Sequence, residues 1–529
     1  MTTSTSLFTP LRRPAFRGLW AGGSVYFIGN AMQVMAASWL MIELTGSSFL
    51  AALVQTAVFL PMFMLSLPAG VLADLTDRRR LIIVSLAVQT VIVALLAALL
   101  LVGWAGPATL LALTFLAGCC TALLSPAWNS TVIDAVPRED LPQAITAMGM
   151  SYNAARALGP ALAGVVFALV GAGWNFALAA AGTLVLLQTV RRWPPRPHPI
   201  SRLPAERMWG GMVSGLRFAW HSELILAQLV RTVAYSGAGS ALWALLPVIA
   251  QRQLGLGAAG FGLLMACLGG GAVAAGLVIG RLRVRFGLEL LVAVACAVYA
   301  LVMLAAALVR WPPVVYAALV LGGASWMTVM STYNTATQTS APPWVRSRAV
   351  SMHMVAALGS FALGSAVWGA LSDLLGLTPA LCLAAAAMAA GLLLARRFPL
   401  RMGEKQEVTP ASVFEDLQDL QLAWQPGHED GPVAVEFGYR IRTDDTEAFL
   451  DALTQLRGPR KRDGATFWRI YRDLSDPTRY VERFIVESWA GYLHQRARAT
   501  QADQTLEAQV RSFLLPDEVV TTAHFIAER

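Results

Sequence analysis

Residues 129–171 read NSTVIDAVPREDLPQAITAMGMSYNAARALGPALAGVVFALVG. The pattern recurs at residues 334–376 as NTATQTSAPPWVRSRAVSMHMVAALGSFALGSAVWGALSDLLG, at a constant offset of 205 residues and without a gap. Ten positions are identical, and they include an asparagine and a proline, which chance matching in an Ala-, Gly- and Leu-rich chain does not explain. The matched pairs are Asn129/Asn334, Pro137/Pro342, Ala144/Ala349, Ala157/Ala362, Leu158/Leu363, Gly159/Gly364, Ala161/Ala366, Gly164/Gly369, Leu169/Leu374 and Gly171/Gly376. One structural unit therefore occurs twice.

Long apolar stretches alternate with short charged segments through the first 398 residues. Only 10 of the 32 Asp and Glu residues lie there. An apolar helix of roughly 20 residues crosses a bilayer. Twelve stretches meet this condition: 17–43, 49–73, 81–103, 107–130, 144–169, 173–190, 223–250, 258–280, 287–309, 313–335, 349–374 and 378–397. The sequence predicts an all-α polytopic membrane protein with twelve transmembrane helices in two six-helix repeats, a plan typical of membrane transporters.

The arginines predict the orientation of these helices, because basic residues concentrate on the cytoplasmic side. Arginines precede span one and follow every even-numbered span, in clusters except for the single Arg138 after span four, whereas the opposite side has only Arg252 and Arg310. We expect both termini to be cytoplasmic. The net charge of +8 then reflects the arginines on the cytoplasmic side of the membrane and not nucleic-acid binding. The five cysteines lie inside predicted spans as small apolar residues, so we expect no metal and no cofactor.

The segment between spans two and three, residues 70–81, reads GVLADLTDRRRL. It resembles the loop signature of the major facilitator superfamily, except that Asp77 replaces the usual glycine. The resemblance implies a gating motif in which the Asp74 carboxylate accepts hydrogen bonds from an arginine and from backbone N–H groups. These bonds would connect two helices. Asp134 is a candidate second partner of Arg78, although a solvated loop carboxylate is an equal alternative. The predicted motif comprises Gly70, Asp74, Asp77, Arg78, Arg79, Arg80 and Asp134.

Span five contains residues 156–164, RALGPALAG. This resembles the G-P-x-x-G-G signature of drug and metabolite antiporters, with Ala163 at one glycine position, and in that family the element is linked to export. Small residues let a neighbouring helix approach closely, and Pro160 bends the span. A packing face without directional meaning is the alternative. The predicted antiporter motif is Arg156, Gly159, Pro160 and Gly164.

Arg156 is costly inside a span unless it faces a partner or a water-filled cavity. Two explanations remain open: a bound anionic or polar substrate, or a structural pair with another helix. In the resembled family, spans one, four, seven and ten line the path, and each polar residue there serves either the substrate or a helix–helix hydrogen bond. The predicted substrate cavity comprises Asn30, Gln33, Gln55, Asn129, Asn153, Arg156, Arg231, Tyr235 and Asn334.

Acidic residues are absent from the middle third of every predicted span. Proton antiport needs a group that titrates as access alternates. The candidates are Asp74, Glu43 and His353. Proton-driven antiport is what the superfamily resemblance implies, and these residues do not establish it alone.

The chain from Ser125 to Gly171 looks like the enterobactin-exporter branch of the superfamily, the transmembrane secretion effectors. That resemblance implies that the protein lies in a bacterial inner membrane. It extends past span twelve into the C-terminal tail. Residues 431–529 alternate strand and helix patterns in the order βαββαβ, which predicts a ferredoxin-like domain. Small cofactor-independent monooxygenases share this order. We expect a dimerising or regulatory role here in preference to oxygenase activity, because the tail has no clustered His or carboxylate constellation.

These features predict a transporter and not an enzyme, with membrane lipid, a small molecule and protons as its partners and a homodimer through the tail. We expect export of a small amphipathic molecule such as a siderophore, drug or secondary metabolite. Two alternatives stay open: an importer or lipid flippase of the same fold, and a membrane-tethered enzyme or sensor. The expected domains are 1–190 and 223–398 for the two bundles, 191–222 for a linker with an interfacial helix, 399–430 for a second linker, and 431–529.

Overall fold

The computed structural model describes residues 9–134, 136–137, 140–193, 216–409, 411, 424 and 426–528, except the side chains of residues 9, 67, 70, 71, 73–75, 130, 132–134, 142 and 405. Twelve helices in this part of the chain are long and apolar enough to cross a membrane. They are α1 (Pro14–Thr45), α2 (Ser48–Leu75), α3 (Arg78–Val102), α4 (Pro107–Asp134), α5 (Leu141–Val170), α6 (Ala172–Arg192), α7 (Glu223–Val248), α8 (Ala258–Phe286), α9 (Leu288–Leu308), α10 (Pro312–Ser340), α11 (Arg346–Leu375) and α12 (Leu377–Gly391). The twelfth span is completed by the turn after α12 and covers Leu377–Arg397. The predicted twelve-helix fold class is confirmed.

Shorter elements extend or connect these helices. A 3₁₀ turn, Thr9–Arg12, precedes α1, and a π-helical turn, Ile249–Gln253, extends α7. One-turn helices at Leu394–Arg397 and Lys405–Val408 follow α12. The predicted interfacial helix around residues 208–220 falls mostly outside the described residues. Of this stretch, only residues 216–221 are described, and they are helical.

The sequence repeat has a direct structural counterpart at the turns that end α5 and α11. Gly171 and Gly376 are matched positions of the repeat, and both have positive φ angles, +88° and +96°. Each N–H donates to a carbonyl four residues earlier, Phe167 in the first half and Ser372 in the second. Only glycine adopts such backbone angles without steric cost, so the turn geometry explains why both halves keep it.

The described residues form two compact units. The first comprises those within 1–202, 231–333 and 354–399, which hold most of the helical bundle. The second comprises those within 203–230, 334–353 and 400–529. The C-terminal domain therefore shares a unit with the amino-terminal end of α7 and with the connection between α10 and α11.

The C-terminal domain is a four-stranded antiparallel sheet with helices on one face. Its strands are β1 (Val433–Arg440), β2 (Phe467–Arg472), β3 (Arg479–Val486) and β4 (Thr521–Ile526), in the spatial order β2-β3-β1-β4. A 3₁₀ turn, Thr443–Asp445, is followed by the helices α13 (Thr446–Gln455), α14 (Arg457–Asp463), α15 (Trp489–Arg498) and α16 (Gln501–Arg511). Along β3 buried residues alternate with less buried ones, and β1 follows the same pattern except at the half-buried Phe437, as strands covered on one face do. This order and topology are those of the predicted ferredoxin-like fold.

Candidate transport site

Arg156 lies on α5 in the first half and contacts two helices of the second half. Its guanidinium carbon is 5.4 Å from the centre of the Trp243 ring on α7. Its backbone packs against α8, because a Cβ added to Gly269 would lie 2.7 Å from the Arg156 carbonyl oxygen. A cation over an indole ring contributes about 0.5–2 kcal/mol, most when both groups are desolvated. The residue is half-buried, so it places a cation where the two halves meet.

Aromatic side chains continue from Trp243 across the second half and back to the first. Trp326 on α10 lies 6.1 Å from Trp243, between ring centroids, and 5.7 Å from Phe361 on α11. Phe361 in turn lies 4.8 Å from Phe59 on α2. We call this group the aromatic cluster; it consists of Phe59, Tyr235, Trp243, Tyr299, Trp326 and Phe361.

Two tyrosines of the aromatic cluster differ in their hydrogen bonding. The Tyr299 hydroxyl donates to the Gly239 carbonyl oxygen at 3.0 Å. The Tyr235 hydroxyl is also buried, yet it makes no hydrogen bond within the described part of the chain. A buried hydroxyl without a partner costs about 1–3 kcal/mol. The Trp243 ring nitrogen Nε1 is likewise buried without a hydrogen bond in the described residues, so the cluster combines apolar rings with two polar atoms suited to a ligand.

The remaining predicted cavity residues lie in different surroundings. Asn30 is half-buried, and Gln33 and Gln55 are buried in α1 and α2. Asn129 is exposed on α4. The Asn153 amide donates to the Gly149 carbonyl oxygen of its own helix at 2.8 Å. Asn334 belongs to the second unit, where its side-chain oxygen accepts from Gln338 at 2.6 Å.

Arg231 has a carboxylate partner that the sequence analysis did not identify. One guanidinium nitrogen donates to both carboxylate oxygens of Glu289, at 2.7 and 2.8 Å. Its guanidinium carbon also lies 5.9 Å from the centre of the Tyr333 ring. Glu289 is the second residue of α9, at the beginning of the predicted span 287–309. The sequence signal for this ion pair is an acidic residue at a span end that lies on the same side of the membrane as the start of α7.

The described part of the predicted gating motif acts at helix ends. Asp77 is the N-cap of α3, and its side chain accepts from the Arg80 backbone N–H at 2.7 Å. Arg79 donates to the carbonyl oxygens of Val190 and Arg191 at the end of α6, at 3.2 and 2.6 Å. Both contacts satisfy groups that a helix end leaves unpaired. The side chains of Asp74 and Asp134 lie outside the described residues, so the predicted Arg78–Asp134 pair stays a prediction, and Gly70 lies within α2.

A carboxylate joins the two halves at the opposite helix ends. Asp373 on α11 accepts from the Ser47 hydroxyl at 2.6 Å and from the backbone N–H groups of Ser48 and Phe49 at 2.8 and 3.1 Å. These donors form the amino-terminal end of α2, which carries a partial positive charge. Nearby, Arg252 donates to the Gly46 carbonyl oxygen. Helices α2 and α11 are thus held together at this end.

Glycines of the repeat make equivalent helix contacts in the two halves. A Cβ at Gly159 would lie 2.6 Å from the Ala31 Cβ on α1, and one at Gly364 would lie 2.5 Å from the Ser240 Oγ on α7. Similarly, a Cβ at Gly164 would lie 2.7 Å from the Ala258 carbonyl oxygen on α8. Gly369 faces Ala52 on α2 in the same way. Helices α5 and α11 each pack closely within their own half and across to the other.

The described proton-coupling candidates lie in different surroundings. Glu43 is exposed near the carboxyl end of α1. His353 is buried on α11 and belongs to the second unit. The side chain of Asp74, the third candidate, lies outside the described residues.

Comparison with known proteins identifies relatives over most of the chain. Residues 5–529 match the family described as transmembrane secretion effectors. The multidrug efflux pump Tap of Mycobacterium tuberculosis is 28% identical over 387 residues, which cover 69% of this chain and 88% of Tap. The enterobactin exporter EntS of Salmonella typhimurium is 30% identical over 295 residues, which cover 53% of this chain and 67% of EntS.

Solved structures share the architecture at low sequence identity. The nucleoside transporter NupG is 11% identical with a TM-score of 0.57, and the match covers 73% of this chain and 100% of NupG. A bacterial homologue of the human lysosomal transporter Spinster is 16% identical with a TM-score of 0.56, covering 74% of this chain and 95% of that one. The likeness concerns the fold of the helical bundle.

Proposed function

The chain belongs to the transmembrane secretion effector family of membrane transporters, and on that premise we propose that it exports a small amphipathic molecule by alternating access. A siderophore, drug or secondary metabolite fits this description, and the efflux pumps among its relatives support export. One observation carries the proposal: Arg156 of the first half meets Trp243 of the second half at the aromatic cluster. A substrate bound there contacts both halves, so its binding depends on how the two halves are arranged.

The chemistry of the aromatic cluster supports a particular class of substrate. Apolar rings favour a planar or aromatic body, and the Arg156 guanidinium favours an anionic or strongly polar group. The Tyr235 hydroxyl adds one hydrogen-bonding position. The predicted cavity residues Asn30, Gln33 and Gln55 extend this lining with polar groups. Substrate recognition then combines stacking with a single charge contact.

The mode of transport follows from the same proposal. We place the protein in a bacterial inner membrane with both termini in the cytoplasm, as the arginine distribution supports. The proton gradient across the membrane drives this export through antiport. Asp74, Glu43 and His353 remain its candidate groups.

Two copies are proposed to pair through the C-terminal domain. The sheet face opposite the helices carries the exposed rings of Tyr471 and Phe525 beside the Arg483–Glu436 ion pair. Rings flanked by self-complementary charges suit a two-fold interface. Oxidative cross-linking of a Phe525→Cys variant in intact membranes would yield dimers, and a purely monomeric product would refute the pairing.

Inverted membrane vesicles test the transport proposal. With the vesicle lumen more acidic than the medium, so that protons flow outward, the wild-type protein should accumulate a radiolabelled catecholate siderophore or an anionic aromatic dye, and a protonophore should abolish the accumulation. Arg156→Gln should lower uptake at least about tenfold, because it removes a charge-assisted contact. Arg285→Gln is the matched control, since Arg285 is exposed at the end of α8 beside Phe286.

Different outcomes contradict different parts of the proposal. Equal uptake by wild type and Arg156→Gln would remove Arg156 from the substrate site. Uptake only by right-side-out vesicles would reverse the direction and favour an importer. Accumulation that survives the protonophore would exclude proton antiport while leaving export in place.

A further inference from the structure

The C-terminal domain encloses a cavity of about 430 Å³ between the helix-covered face of its sheet and the helices α15 and α16. Ligand cavities for small organic molecules have volumes of roughly 300–1,000 Å³. Phe437 and Tyr439 from β1 and Tyr492 from α15 supply aromatic walls, and three arginines, Arg460, Arg496 and Arg511, also line the space. The residues that line this cavity are not part of the aromatic cluster, and the transport proposal does not use them.

One of these arginines is fixed in the wall by carboxylates. Arg460 donates to Glu482 at 3.2 Å and pairs with Glu507 at 2.9 Å. Glu482 is fully buried and also accepts from the Tyr439 hydroxyl at 3.1 Å and from Trp468 at 2.8 Å. A buried charge network with all these partners is rigid. Arg460 therefore forms part of the cavity wall, and its charge is already balanced by these carboxylates.

Arg496 has a different environment. It is half-buried on α15 and forms no ion pair with a carboxylate within the ranges that the structure describes. Beside it, the Tyr492 hydroxyl and the His524 ring nitrogen Nε2 are 2.7 Å apart. Burial and the neighbouring Arg496 lower the pKa of His524, so its ring is neutral near pH 7. Arg511 is mostly exposed and lies 3.9 Å from Glu507. The cavity mouth is thus positively charged.

We propose that this cavity is a binding site for a small organic anion with an aromatic ring. The ring lies against Phe437 and Tyr492, and the anionic group pairs with Arg496. A charge-assisted bond in a partly buried site is stronger than a neutral one, and the aromatic walls supply the apolar contact. The Tyr492 and His524 pair offers hydrogen bonds to a ring substituent.

The same helix connects the cavity to the transport helices within the second unit. Arg498, two residues beyond Arg496, has its guanidinium carbon 4.2 Å from the centre of the Trp344 ring, in the connection between α10 and α11. Trp344 packs edge-on against Phe218, with ring centroids 5.5 Å apart. A ligand that shifts α15 therefore acts on this connection. This regulatory step rests on the proposed function, whereas ligand binding does not.

The binding test uses the full-length protein in lipid nanodiscs, with 1-naphthoate as the probe and uncharged 1-naphthalenemethanol as its analogue. Calorimetry should detect saturable binding of the anion and at least about tenfold weaker binding of the alcohol. Arg496→Gln should weaken naphthoate binding to a similar extent. Arg469→Gln is the matched control, because Arg469 is exposed on β2 and points to the opposite sheet face; it should leave the dissociation constant within about twofold.

A second variant covers the case in which Arg496→Gln does not fold. Thr522→Phe fills the cavity from the edge strand β4 without changing any charge, and it should also abolish binding. Absence of saturable binding, equal binding of acid and alcohol, or equal losses in Arg496→Gln and Arg469→Gln would each overturn the proposal.

Vesicle transport separates the regulatory step from the transport proposal. Naphthoate at saturating concentration should change the flux of a transported dye in wild type but not in Thr522→Phe. Dye flux without a naphthoate effect would refute regulation while leaving transport intact. Naphthoate binding without any dye flux would support the site and contradict the proposed function.

Discussion

Arg231 illustrates how a single charged residue is accommodated inside the bundle. Its side chain is 3% exposed, while that of its partner Glu289 is 42% exposed. Removing one member of such a pair leaves the other charge uncompensated, and this costs more than replacing both members. The pair joins α7 to α9, so its net effect is to specify how these two helices pack.

At this residue scale, Glu289→Gln should destabilise the protein by about 2–3 kcal/mol, below the value for fully buried pairs because Glu289 is partly exposed. The double variant Arg231→Met with Glu289→Met should recover most of that loss, since no unpaired charge remains. Thermal unfolding in detergent measures both effects. Glu223→Gln, which neutralises an exposed acid at the start of α7, is the control. A single variant as stable as wild type would show that the pair contributes nothing.

Individual residues also mark the limit of sequence analysis. The cost of burying Arg156 and Arg231 follows from their place in apolar spans, but their partners do not, because Trp243 and Glu289 lie 87 and 58 positions away along the chain. Asp77 departs from the superfamily signature, and its role as the cap of α3 depends on where that helix starts. Residue types predict a need for a partner, and three-dimensional packing supplies it.

Among the helices, close approach depends on glycines at particular positions. Gly269 and Gly270 are neighbours on α8 with opposite surroundings. A Cβ at Gly269 would lie 2.7 Å from the Arg156 carbonyl oxygen, whereas a Cβ at Gly270 would meet nothing within 4 Å. The first glycine is required by the α5–α8 contact, and the second is required by no contact.

This difference gives an element-scale prediction. Gly269→Ala should separate α5 from α8 and cost about 1–3 kcal/mol through overpacking. Gly270→Ala, the matched control, should be neutral or stabilising by up to about 1 kcal/mol, because alanine favours the helix. Thermal unfolding and vesicle uptake measured on both variants test this. Equal stability of the two variants would contradict the close α5–α8 contact.

The elements themselves are readily predicted from the sequence. The spans follow from hydropathy, so predicted stretch 258–280 corresponds to α8, although the helix continues to Phe286 because arginines at its end still form helix. The strands of the C-terminal domain follow from alternation of apolar and polar residues, as in β1. The contacts between helices are not predictable in this way, because every face of these helices is apolar and hydropathy does not distinguish lipid from protein neighbours.

For the molecule as a whole, the Asp373 contact joins the two halves at one end of the bundle. The carboxylate belongs to the second half and caps α2 of the first half. Its repeat equivalent in the first half is Ala168, so the contact exists once and not twice. Alternating access by the proposed mechanism requires this contact to break whenever that end opens.

Asp373→Asn should therefore favour the state that is open at this end. The loss of a charged acceptor weakens three hydrogen bonds, each worth roughly 1.5–3 kcal/mol when charge-assisted. Spin labels at Leu44 and Leu374, both exposed near this end, should report a longer distance in the variant. Ser47→Ala removes one donor and should give a smaller change in the same direction. An unchanged distance distribution in Asp373→Asn would exclude the contact as a determinant of closure.

The stacking of Arg498 on Trp344 has a practical consequence for anyone shortening this gene. A chain that stops soon after the last membrane helix loses the cation that covers that indole and the Arg462 that lies over Phe218. Two large rings would then face water, an arrangement that invites aggregation. The C-terminal domain and the membrane helices are therefore best expressed and purified as one chain.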